Sequence, residues 1–159
     1  MRPGKPLPSD EIMIEKALEI LESSPHGQQL VNFVEKKEIQ IKLIPTNNPV
    51  TYLPEEKLVY IGFNKNNPPS PSYFILMMVK VLREAQQEAS GVKHPDLHAP
   101  ADEHKRISMA KFEDITWYLC AVAMELNDQK TYENYLFLDE LKKMGYSESL
   151  ALYIKQERS

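Results

Sequence analysis

The chain contains one cysteine, Cys120, in 159 residues. That excludes an internal disulfide and every cysteine-rich zinc site. Cys120 lies in a helical apolar pattern and reads as a buried small hydrophobe. Glycine is scarce, with five residues, and none sits in a G-x-S-x-G, P-loop or G-x-G-x-x-G pattern. A nucleophile elbow and glycine-built phosphate or dinucleotide cradles are thereby excluded. No apolar run reaches the roughly eighteen residues of a membrane span. Met1–Asp10 is proline-rich and polar, without the apolar core of a signal peptide, so the expectation is a cytoplasmic protein with no membrane partner. The net charge of −4 offers no basic footprint for nucleic acid.

What remains is ordinary for a globular protein. Hydrophobic residues make up 42% and charged residues 26%, enough apolar material for one domain with a core. Residues 1–9, with three prolines, read as a flexible segment, and 10–159 as a single domain. A helix is expected from Ser9 or Asp10 to about Ser23, with Ile12, Ile14, Ala17, Leu18 and Leu21 as its apolar face. Pro25-His26-Gly27 breaks it, and a short helix follows over Gln28–Lys37. His26 reads as a helix-start residue.

The period then changes from helical to two. Ile39, Ile41 and Leu43 alternate with Gln40 and Lys42, as a half-buried strand requires. Val50–Leu53 and Lys57–Phe63 flank Pro54-Glu55-Glu56 and read as a hairpin.

The longest apolar stretch is SPSYFILMMVKVLREAQQEAS, Ser70–Ser90. Its first half is apolar on every side, the mark of a helix buried all round. Ser70 suits an N-cap, Pro71 the first helical position, and Ser90-Gly91 a stop. Lys80, Arg83, Glu84 and Gln87 enter at spacings of three and four and line one stripe. Three further helices are expected over Lys105–Asn127, Thr131–Met144 and Ser147–Arg158. Strands segregated from helices make the class α+β, with a small, mostly antiparallel three-stranded sheet packed on a central helix.

Three sets of residues suggest chemistry. Thr51–Phe63 (TYLPEEKLVYIGF), the helix segment Val81–Gln87 and Phe112–Leu126 (FEDITWYLCAVAMEL) together resemble a family of bacterial metallopeptidase domains of zincin type. There a Tyr-turn-Ile-x-Leu/Phe-Asn hairpin precedes a His-Glu-x-Arg-His-Ala-x-Gln helix, and the following helix offers an acidic residue to the metal. The opening Ser-Pro-His-Gly-Gln-Gln-Leu resembles that family's Thr-Pro-x-Gly-x-x-Leu. The likeness spans about residues 12–127.

Arg83, Ala85 and Gln87 match the helix motif. The resemblance sets Lys80 and Glu84 at the two zinc histidines, Val81 at the catalytic glutamate and Glu113 or Asp114 at the acidic position. Lysine must lose a proton before it can bind zinc, and valine cannot act as a base. The resemblance therefore implies a zincin-like scaffold with a lost metal site and no cofactor, more a pseudoenzyme than an enzyme. In place of the metal, Lys80 would pair with Glu84 and with Glu113 or Asp114. A cleft lined by Tyr52, Tyr60, Arg83 and Gln87 would take a protein or an extended peptide at the hairpin edge. The alternative is a metal-dependent hydrolase with a rearranged zinc site built from Glu84, Glu113 and the loop histidines His94, His98 and His104. Pro95 and Pro100 oppose the helix that would bring those histidines together.

Overall fold

The computed structural model describes residues 8–46, 50–64, 69–91 and 98–157. The expected flexible segment lies outside them as far as residue 7, as does His94. Helix α1 (Pro8–Glu22) already starts at Pro8. It buries Ile14, Ala17, Ile20 and Leu21, whereas Ile12 faces outward. Helix α2 (Pro25–Lys36) begins three residues earlier than expected. Proline fits there because the first helical position needs no N–H. The two helices turn back on each other through Ser23 and Ser24 alone.

Strand β1 (Gln40–Pro45), strand β2 (Val50–Leu53), a single 3-10 turn (Pro54–Glu56) and strand β3 (Leu58–Phe63) form one sheet. The strand order is β1-β3-β2. β2 and β3 pair antiparallel, as the hairpin requires. β1 and β3 pair parallel over six residues, from Gln40↔Leu58 to Pro45↔Phe63. The sheet is therefore mixed, and the expectation of a mostly antiparallel sheet is corrected. The reason is the number of reversals: the chain turns twice between β1 and β3, so β3 runs in the direction of β1.

Helix α3 (Pro71–Ala89) is the central element. Ser70 caps it, its hydroxyl accepting from the Tyr73 N–H at 3.2 Å. Ile75 to Val79, Val81 and Leu82 are buried, and the helix packs against α1, α2, β2 and β3. Helix α4 (Ala101–Asn127) is 27 residues long and lies along α3. Its second half is core, from Thr116 to Leu126 with Trp117 and Glu125 half-buried; its first half is largely uncovered, with Met109 and Phe112 exposed. The expected helix over Thr131–Met144 divides. Lys130–Tyr135 is a 3-10 turn, Leu136 takes a left-handed backbone (φ 52°), and α5 (Phe137–Lys143) follows. A left-handed residue breaks the right-handed hydrogen-bond ladder. Gly145 (φ 96°) ends α5, and α6 (Ser147–Glu157) packs on α4. The architecture is α+β, with six helices and a three-stranded mixed sheet among the described residues.

Candidate functional site

Side chains alternate across a strand, and residues paired across a ladder share a face. Tyr52 is paired with Val59, which is fully buried, so Tyr52 lies on the core face. Its phenol lies within reach of the Glu88 charge on α3, and burial together with that carboxylate holds its pKa above the ordinary value. Tyr60 follows Val59 and is paired with Thr51 and Lys42, so it lies on the opposite face of the sheet. The two tyrosines therefore cannot line one cleft with Arg83 and Gln87, and that expectation is corrected.

The positions matched to a zinc motif differ in burial. Val81 is fully buried, Lys80 is half-buried, and Glu84 and Glu113 are exposed. Among the described residues, Lys80 forms no ion pair with Glu84 or Glu113. The ion pair between the two long helices is made one stripe further round, by Arg83 and Asp114. Arg83 donates from Nε to Asp114 Oδ2 at 2.8 Å and from the terminal nitrogen Nη2 to Oδ1 at 3.0 Å. Gln87 Nε2 adds a bond to Asp114 Oδ2 at 2.8 Å. The matching fork geometry makes this the strong kind of charged hydrogen bond. Of the alternative histidine ligands, His94 lies outside the described residues. His104 lies in the first turns of α4, and no three metal-binding side chains cluster among the described residues.

The Arg83 hydrogen bonds hold the Asp114 carboxyl below the ordinary aspartate range, against the opposing effect of partial burial, and Gln87 helps. The sign follows from linkage. A carboxyl with a depressed folded pKa stabilises the fold above its unfolded value of about 3.9 and loses that contribution as pH falls through the folded value. Asp114→Asn is expected to flatten the fall of stability below about pH 4. Urea midpoints measured across the acid range for both proteins check this; parallel curves would remove Asp114 from the acid response.

Sequence reasoning missed a second cluster, at the start of α2. Ser24 is the N-cap, and its hydroxyl accepts from the Gly27 N–H at 3.1 Å. The same hydroxyl donates to Glu125 Oε1 on α4 at 2.6 Å. That oxygen also accepts the His26 backbone N–H at 3.0 Å, and Glu125 Oε2 meets His26 Nδ1 at 2.5 Å. The free N–H groups of the first helical turn are thus accounted for: Pro25 has none, His26 uses Glu125 and Gly27 uses Ser24. The carboxylate also sits at the positive end of the helix dipole. The His26 ring stands edge-on to Trp117 and Tyr118, at 5.1 and 5.3 Å between centroids.

Tyr118 joins the two clusters. Its Oη lies 2.9 Å from the His26 carbonyl oxygen and 2.8 Å from Gln29 Oε1, with one proton to serve them. The Arg83 guanidinium lies 4.6 Å from the centre of its ring. Burial is the main cause of a Tyr118 pKa pushed up to about 12. Burial alone pushes the Cys120 thiol up to about 11, so the buried side chain stays protonated at neutral pH. The polar groups between α2, α3 and α4 thus form one chain of contacts, from Asp114 through Arg83, Tyr118 and His26 to Glu125 and Ser24. Most of their bonding capacity is spent within the chain, which braces three helices.

Compared with protein-family models, with curated proteins and with solved structures, the sequence and fold match none. Among the described residues, no helix is long and apolar enough to cross a membrane.

Proposed function

We propose that the chain is a non-catalytic protein-binding domain on a zincin-like scaffold whose metal site has been lost. The observation that carries this reading is the fate of the motif positions. The residue in place of the catalytic base, Val81, is packed into the core, and among the described residues Lys80, in place of one ligand, forms no ion pair with Glu84 or Glu113. The zincin-like lineage is supported by the order sheet, central helix, long helix. It is also supported by an acidic residue of the long helix, Asp114, that reaches the central one. The binding role is supported by β2, an outer strand of the sheet lying against α3. An extended peptide adds to such an edge through main-chain hydrogen bonds, the mode by which active zincins take substrate.

Two measurements test the reading. Protein prepared without a histidine tag, exposed to zinc and dialysed, is expected to retain no stoichiometric metal and to melt at the same temperature in chelator. Stoichiometric zinc would overturn the lost-site reading. Peptides selected on the immobilised domain are expected to slow amide exchange in β2. Protection confined to other elements would remove the edge strand as the binding site.

A further inference from the structure

Where α3 and α4 run side by side, they enclose a groove of about 430 Å³. Arg83, Gln87 and Ser90 face it from α3, at helical spacings of four and three. Arg106, Lys111 and Asp114 face it from α4. Ile107 and Ala110 supply its apolar surface. The size is that of a pocket for a small ligand or a few side chains.

Its charge is unlike that of the rest of the molecule. The chain carries a net charge of −4, yet the groove holds three cations and one carboxylate. That carboxylate, Asp114, is already taken by Arg83. Arg106 and Lys111 form no ion pair among the described residues. Two uncompensated cations on one wall of a concave site attract an anion.

A second, independent observation concerns Gln87, which is 6% exposed. Its Nε2 donates to Asp114 Oδ2 and to the Lys111 carbonyl oxygen at 3.2 Å. Both partners are acceptors, so the amide cannot be turned over without losing two bonds. Its Oε1 is left buried with no donor. A buried acceptor without a partner costs stability until a donor reaches it. The oxygen is closed to solvent, so a donor reaches it only if side chains at the groove shift on binding, as interface rotamers commonly do.

We infer that this groove recognises an acidic segment of a protein partner: a glutamate or aspartate carboxylate held by Arg106 and Lys111, with a peptide N–H offered to Gln87. A peptide carries both groups within one residue, whereas a fully ionised small dicarboxylate carries the charge and no donor. The inference rests on the reading of the chain as a binding domain and gives the chemistry of one partner element.

The test is a titration of isotopically labelled protein, followed by amide resonances, with a blocked five-residue peptide of alternating glutamate and alanine. Saturable shifts are expected at Ser90 and from Arg106 to Lys111, weakening as salt rises from about 50 mM to about 500 mM. R106E/K111E, which changes two side chains outside the core, is expected to keep the melting temperature and lower affinity at least about tenfold. R106Q/K111Q serves as the milder pair if the charge reversal perturbs folding. No shifts at millimolar peptide, equal shifts with a lysine–alanine peptide, or undiminished binding by both double variants would overturn the inference. So would succinate or inorganic phosphate binding as tightly as the peptide, since the site would then serve free small anions. Amide exchange in β2 reports on the edge strand separately. Groove shifts without β2 protection sink the edge reading alone, and β2 protection without groove shifts sinks the groove alone.

Discussion

Gly27→Ala is expected to destabilise the fold by about 3 kcal/mol, the upper end of the usual cost of forcing extra volume into a packed site. The direction is the reverse of what the helical position suggests. Alanine inside a helix ordinarily gains up to about 1 kcal/mol over glycine. Gly27 has no left-handed backbone angle to explain its presence. Space explains it: a Cβ there would stand 2.3 Å from the Leu21 carbonyl oxygen and 3.0 Å from the Leu21 carbonyl carbon. These are backbone atoms at the end of α1, and Leu21 is fully buried. The Leu21 oxygen also accepts from the Ser24 N–H at 3.1 Å, in the turn between the helices. Relief therefore requires α1 and α2 to part, and with them the Ser24 cap and its bond to Glu125. Urea unfolding of Gly27→Ala against the parent chain measures the effect. A variant as stable as the parent would show that the α1–α2 turn yields at little cost.

This close approach explains the Ser-Pro-His-Gly string better than a helix break does. The sequence shows a proline and a glycine in a row, and both commonly interrupt helices. Here the proline opens α2, and the glycine lets α2 pass the end of α1. Nothing in the local pattern announces that contact, because it depends on the angle between two helices.

Features set by local period were legible. The alternation of Ile39, Ile41 and Leu43, the Pro54 turn and the Ser70 cap all fall where the pattern puts them. The pairing of β1 with β3 was not, since an alternating strand looks the same whichever way its neighbour runs. The choice of stripe on α3 was not legible either. Lys80 and Glu84 stand four apart, as do Arg83 and Gln87, and both pairs satisfy the helical period. Adjacent residues differ by about 100° around the axis, so only the position of α4 decides which pair meets it. It meets Arg83 and Gln87, through Asp114. The partnership of His26 with Glu125 spans 99 positions. Its one sequence signal is a lone carboxylate inside the apolar run Leu119–Leu126, a place where an unpaired charge is costly.

That costly placement leads to the other large expected effect. Glu125→Ala is expected to lower stability by about 3 kcal/mol, because each buried polar group left without a partner costs about 1–3 kcal/mol and two are stranded. The Ser24 hydroxyl loses its acceptor, and the His26 backbone N–H loses its only partner in the first turn of α2. Glu125→Gln keeps an oxygen for both and presents an amide N–H to His26 Nδ1, which accepts it in the neutral tautomer. Its expected cost is about 1 kcal/mol, the value of one charge-assisted bond made neutral. Ser24→Ala, alone and combined with Glu125→Ala, completes a cycle, and a coupling of about 1–2 kcal/mol is expected for groups in direct contact. If Glu125→Ala costs less than Glu125→Gln, the carboxylate is a buried burden on the fold and its site calls for another explanation. If the order holds, Glu125 is an anchor for the start of α2. The His26 ring is then held by the same carboxylate that binds the first N–H of α2.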